Sequence, residues 1–174
     1  MCLCRMYGVG NMVGSQPSNT QQAAGFLGQY AGLDDLASFF LSYYPAGIGS
    51  VLRVVGPSNS SQPGIEANLD VQYIMSVGGG VSTTFWYTNG TRPYDNEPFL
   101  EWMLNVSSLS NAQLPNVISV SYGDNEDTVD YGSVPLRPSC TNLATQRAGI
   151  TRTPTACLHV QLCLPRICAV LPRV

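Results

Sequence analysis

The sequence predicts an α/β domain built on a largely parallel sheet with flanking helices. Segments whose apolar residues recur at helical spacing alternate with short β-branched strands. Gly- and Pro-rich turns separate the segments. The chain has 174 residues, 44% of them hydrophobic, which is enough to bury a core.

Each element follows from local pattern. Over residues 20–44, Ala23, Phe26, Leu27 and Tyr30 repeat at three and four, and Leu33, Leu36, Phe39 and Phe40 continue the series. That spacing predicts two helices, with Gly32 as the break and Asp34 or Asp35 starting the second. Residues 50–55, with Val51, Leu52, Val54 and Val55, predict a strand closed by a Gly/Pro/Ser/Asn loop. Glu66 to Val77 predicts a helix with Ile65, Leu69, Tyr73 and Ile74 on one side. After Gly78-Gly79-Gly80, Val81 to Tyr87 predicts a strand, Glu97 to Val106 a helix, and Val117 to Tyr122 a strand. A ligand site in such a sheet belongs at the carboxyl ends of the strands.

Composition excludes several classes. Only 11% of residues are charged, and all eight basic residues are arginine, scattered along the chain. That argues against an electrostatic nucleic-acid binder. No apolar run approaches ~18 residues, so no membrane span is expected. Residues 1–6 lack the apolar region of a signal peptide.

Charge divides the chain in two. All eleven acidic residues lie in residues 1–130 beside three arginines, a formal −8, whereas residues 131–174 hold five arginines and no acid, a formal +5. Residues 131–174 also carry five prolines and four of the six cysteines, and their apolar residues keep neither structural period. We read 1–130 as the folded unit and 131–174 as a disordered or out-of-frame tail. His159 is the lone histidine and no cysteine spacing suits zinc, so no metal site is expected.

Three glycosylation sequons begin at Asn59, Asn89 and Asn105, the first two in predicted loops. They favour a secretory or lysosomal route, with chance as an equal alternative.

Candidate chemistry lies in the helix over 66–77. Glu66 and Asp70 are four residues apart, which stacks them on one helical face. Among apolar neighbours such a pair splits its titrations, leaving one carboxyl protonated and able to relay a proton. A carboxylate base suits acidic pH, where histidine is already protonated. From spacing alone the plainer reading is favoured: a solvated acidic stripe, or charges that complement the helix dipole.

The segment Gly64-Ile65-Glu66-Ala67-Asn68-Leu69-Asp70-Val71-Gln72-Tyr73-Ile74-Met75-Ser76 closely resembles the catalytic helix of the sedolisin (serine-carboxyl) peptidases. Further blocks agree in order: Phe26-Leu27-Gly28-Gln29-Tyr30, Arg53-Val54-Val55-Gly56, Glu97-Pro98-Phe99-Leu100-Glu101-Trp102, and Val120-Ser121-Tyr122-Gly123-Asp124. Together they span roughly Tyr7 to Asp130, the N-terminal portion of such a catalytic domain.

The resemblance implies a subtilisin-like sheet, here incomplete. It implies Glu66 as the base toward a nucleophilic serine and Asp70 as the partner that tunes it. Ser119, Ser121, Tyr122 and Gly123 would line the substrate cleft, and Asp124 would support the site or simply turn the strand end. The substrates would be peptides or proteins, cleaved at acid pH in a lysosomal or secreted setting.

Departures are equally informative. The family's oxyanion aspartate and nucleophilic serine sit in Gly-Asp-Ser-Gly and Gly-Thr-Ser stretches, and neither occurs in these 174 residues. The family's calcium-binding segment is likewise absent, so its calcium is not expected to bind this chain. We therefore expect a peptidase segment that is inactive alone. The alternative is a catalytically dead module that binds peptides by strand addition at Ser119–Gly123.

Overall fold

A computed structural model describes residues 12–91 and 96–123, together with Met6, Gly8 and Gly10. Asp124 and the whole of 131–174 lie outside the described residues.

Among the described residues, four strands form one sheet: β1 (Thr20–Gly25), β2 (Leu52–Val55), β3 (Ser82–Tyr87) and β4 (Val117–Ser119). Their order is β2-β3-β1-β4, with every pairing parallel. Helices α1 (Leu33–Tyr43), α2 (Ile65–Val77) and α3 (Phe99–Ser107) provide the connections, with a short 3₁₀ turn at Pro45–Gly47. Parallel neighbours need such crossovers, and the helices then cover the sheet faces.

The two-residue period of β1 assigns the layers. Ala23 joins Phe85, Tyr87, Leu36, Phe40, Ala67, Val71 and Met75 on the α1/α2 side. Ala24 and Phe26 join Trp102, Val106, Ile118 and Val120 on the α3 side. Strand β4 is short but tied at its start, where the Thr20 N–H donates to Asn116 Oδ1 (2.9 Å) and the Asn116 N–H donates to Thr20 O (3.0 Å).

Two expectations from pattern are corrected. The helix expected at the start of 20–44 is β1, the strand between β3 and β4. Only Ala23 of that series lies in β1, which reads Thr-Gln-Gln-Ala-Ala-Gly; Phe26, Leu27 and Tyr30 follow it, so the spacing of three and four arises across a strand and its exit turn. Gly25 also lies against the Phe85 ring, where a Cβ would come within 2.2 Å of the ring, which favours the tight pairing. The chain leaves β1 through left-handed Leu27 (φ 52°) and Gly28 (φ 73°) before α1 begins.

The second correction concerns the face of α2. Its buried residues are Ala67, Val71 and Met75, while Ile65 is 88% exposed and Leu69 49%. The helix is apolar on two sides, and small Ala67 lets it close onto the sheet, so hydrophobicity alone selects the wrong one. The remaining predicted elements appear with ends shifted by a few residues, the last strand closing at Ser119 rather than Tyr122.

Candidate active site

The first turn of α2 is held by contacts from distant sequence. A helix leaves its first N–H groups without partners, and no side chain of its own caps α2. The Gln29 side chain does so instead, with Oε1 accepting from the Glu66 N–H at 3.1 Å. Gly64 donates its N–H to Tyr30 O (2.9 Å), and the Gly32 N–H donates to Asn68 Oδ1 (2.8 Å). Asn68 in turn donates to Asp35 Oδ2 at 2.6 Å. The loop after β1 and the head of α2 are thereby locked together.

Gly64 is required by that cap, because a Cβ there would sit 2.1 Å from Gln29 Oε1 and 2.7 Å from Gln29 Cα. Gly64→Ala is therefore expected to cost about 1–3 kcal/mol through overpacking and a displaced cap. A thermal melt reads it, and an unchanged Tm would refute the cap assignment.

Glu66 and Asp70 are both half-buried, one turn apart on α2. Asp70 meets the end of β4, where Ser121 donates its hydroxyl to Asp70 Oδ1 at 2.8 Å. Asp70 Oδ2 is buried with no hydrogen-bond partner among the described residues. Burial pushes the Asp70 carboxyl up from 3.8 to about 6, helped by the Glu66 charge and opposed by the Ser121 hydrogen bond. This is the environment of a proton-holding group rather than of a solvated surface stripe.

Tyr122, the next residue, turns the other way. Its ring packs edge-on to Phe26 (4.9 Å, 84°), and its hydroxyl oxygen accepts from the Phe26 N–H at 3.4 Å. Burial raises its hydroxyl pKa most, the Phe26 bond opposes this, and the charges of Asp70, Glu66 and Glu97 add to the rise. Ser119 is half-buried at the end of β4, and Gly123 is exposed. Asn59, Asn89 and Asn105 are all exposed, the last on α3. An open depression of about 370 Å³ lies beyond β1 and β3, lined by Leu27, Gly28, Tyr87, Asn89, Gly90 and Thr91. Neither carboxyl of the pair lines it.

Sequence reasoning found the pair but not Gln29, whose capping role depends on a contact 37 residues away. The glycine at 64 was the one local signal. Among the described residues, no group of three or more His, Cys, Asp or Glu side chains is placed to hold a metal ion. Among the same residues, no helix is long and apolar enough to cross a membrane.

No protein-family model matches the chain. Over 121 residues, 67% of its length, it is 47% identical to human tripeptidyl-peptidase 1. The dog and mouse proteins of that name are 46% and 44% identical over the same length. That identity is consistent with a fragment of the serine-carboxyl (sedolisin) peptidase family. The chain spans about a fifth (21%) of the length of the curated relatives it matches. Among solved structures it is similar to a Pseudomonas sedolisin, a serine-carboxyl proteinase complexed with two molecules of pseudo-iodotyrostatin. That match has a TM-score of 0.45 and 15% identity, and it covers 76% of this chain and 36% of that one.

Proposed function

We propose that this segment supplies the general base of an acid-acting serine-carboxyl peptidase. Glu66 takes the proton of a nucleophilic serine hydroxyl as it attacks a peptide carbonyl, and Asp70 tunes and orients Glu66. The observation that carries this reading is the Glu66–Asp70 pair beside the carboxyl end of β4, with Asp70 near 6 and bonded to Ser121. At pH 5 a carboxyl with that midpoint keeps its proton, so it stands beside Glu66 as a donor and not as a like charge. The logic is that of a nucleophile–base–orienter triad with carboxyls in place of imidazole.

In this reading the serine and the oxyanion aspartate come from sequence other than these 174 residues, which contain no Gly-Thr-Ser or Gly-Asp-Ser-Gly stretch. Peptides or proteins are the substrates, and the exposed sequons at Asn59, Asn89 and Asn105 support a lysosomal or secreted route. One observation favours a second reading, a peptide-binding module without catalysis. Strand β4 ends the sheet order, which leaves its outer edge available for strand addition among the described residues.

The test has two parts. Sequencing the transcript across codons 120–140 is expected to find a frame that continues into the two missing motifs. The purified 174-residue chain is expected not to release a fluorophore from a tripeptidyl substrate at pH 4–5. Turnover by that chain, lost in Glu66→Gln, would overturn the requirement for outside sequence. A transcript ending as given, with saturable peptide binding, would favour the binding module.

A further inference from the structure

Ser121, two residues past the end of β4, holds a contact that its sequence neighbours do not require. Ser76, Ser107 and Ser108, by contrast, donate to carbonyls three residues back. Ser121 instead reaches a side chain 51 residues away. Chain alternation places it there: Ile118 and Val120 pack on the α3 side, so Ser121 falls on the α2 side, against Asp70.

We propose that Ser121 is a positioning residue for the carboxyl pair: its hydroxyl, donated to Asp70 Oδ1, pins the carboxyl and reserves Oδ2 as the oxygen that carries the pair's proton. The inference rests on the reading of Glu66 and Asp70 as a base and its partner. A carboxyl oxygen that accepts from Ser121 at 2.8 Å keeps that bond best as the unprotonated oxygen, because a hydroxyl oxygen is the weaker acceptor. Oδ2 has no such competitor among the described residues and is shielded from water. Ser121 therefore fixes both the rotamer of Asp70 and the site of protonation. Among the described residues, Glu66 on its own helix is the charged group acting on Asp70, and the Tyr122 hydroxyl, turned to the opposite side, feels the Asp70 charge.

The hydroxyl favours the charged form of Asp70, against burial and Glu66. Its removal is thus expected to raise the Asp70 midpoint. The measurement is a carbon-13 carboxyl NMR titration of the aspartate-labelled 174-residue chain, with Asp70 assigned from Asp70→Asn. The parent midpoint is expected at about 6. In Ser121→Ala it should rise by about one pH unit, the scale of one hydrogen bond to a charged acceptor. Ser121→Thr, which restores the hydroxyl, should return it toward the parent value. An unmoved midpoint in a folded Ser121→Ala chain overturns the proposal, and so does an equal rise in Ser121→Thr. Glu66→Gln separates the two levels of inference. A midpoint unmoved by that change counts against the paired-base reading while leaving the Ser121 assignment standing.

Discussion

Truncating Phe26 to alanine is expected to cost about 3–5 kcal/mol of folding stability, the range for a buried aromatic that leaves a cavity. Phe26 is fully buried at the exit of β1. Three rings meet it edge-on: Phe99 at 5.2 Å, Trp102 at 6.1 Å and Tyr122 at 4.9 Å. Such pairs add to the simple burial of area. These partners come from α3 and from the segment after β4, so no single neighbour can collapse into the void. Against a typical total of about 5–15 kcal/mol, the loss leaves a marginal domain. Urea unfolding should show a lower midpoint with an unchanged slope. Val51→Ala, at an 81% exposed position, is the control and should change stability by less than about 0.5 kcal/mol. A Phe26→Ala cost no larger than the control would contradict the packing described above. Tyr122 leans on Phe26 and adjoins Ser121, so the truncation should also loosen the Ser121 bond to Asp70.

The second large effect is a stability that rises as pH falls. Asp70 titrates near 3.8 when unfolded and at about 6 when folded. Between those values the folded chain holds a proton that the unfolded chain has released. Stability contributed by this group is therefore present below about pH 4 and lost as pH rises through about 6. The span corresponds to about 2–3 kcal/mol after allowance for partial solvent access. Asp70→Asn removes the charge and should remove this slope. The variant is expected to match the parent near pH 4 and to exceed it by about 2 kcal/mol at pH 7. Denaturant midpoints of the two chains between pH 4 and 7 measure the difference, in which the other carboxylates cancel. Parallel curves would mean that Asp70 is not perturbed. A site that destabilises the fold at neutral pH is a common cost of chemistry, and here it would be least at the acid pH proposed for activity.

Both predictions depend on contacts whose legibility in the sequence differs. Local patterns were sufficient for α1, α2, α3, β2, β3 and β4, because each carries its own apolar spacing. The spacing of Glu66 and Asp70 on one turn was equally plain, since helical geometry alone sets it. The ordered blocks from Phe26 to Gly123 carried the family resemblance, and the 47% identity to tripeptidyl-peptidase 1 agrees with it.

Other features needed the folded chain. Strand β1 reads as a helix until β3 and β4 are placed on either side of it, because pairing energy lies between elements and leaves no local mark. The inward face of α2 was decided by the close approach of Ala67 to the sheet, where small size outweighed the greater hydrophobicity of Ile65 and Leu69. The Gln29 cap and the Ser121 bond join residues 37 and 51 positions apart. By itself the sequence determined the helices and strands other than β1, and which carboxyls can act together, since both follow from short-range geometry. Only the tertiary structure decided that Asp70 is shielded and bonded at one oxygen. Desolvation and long-range hydrogen bonds exist only once β4 and α2 have met.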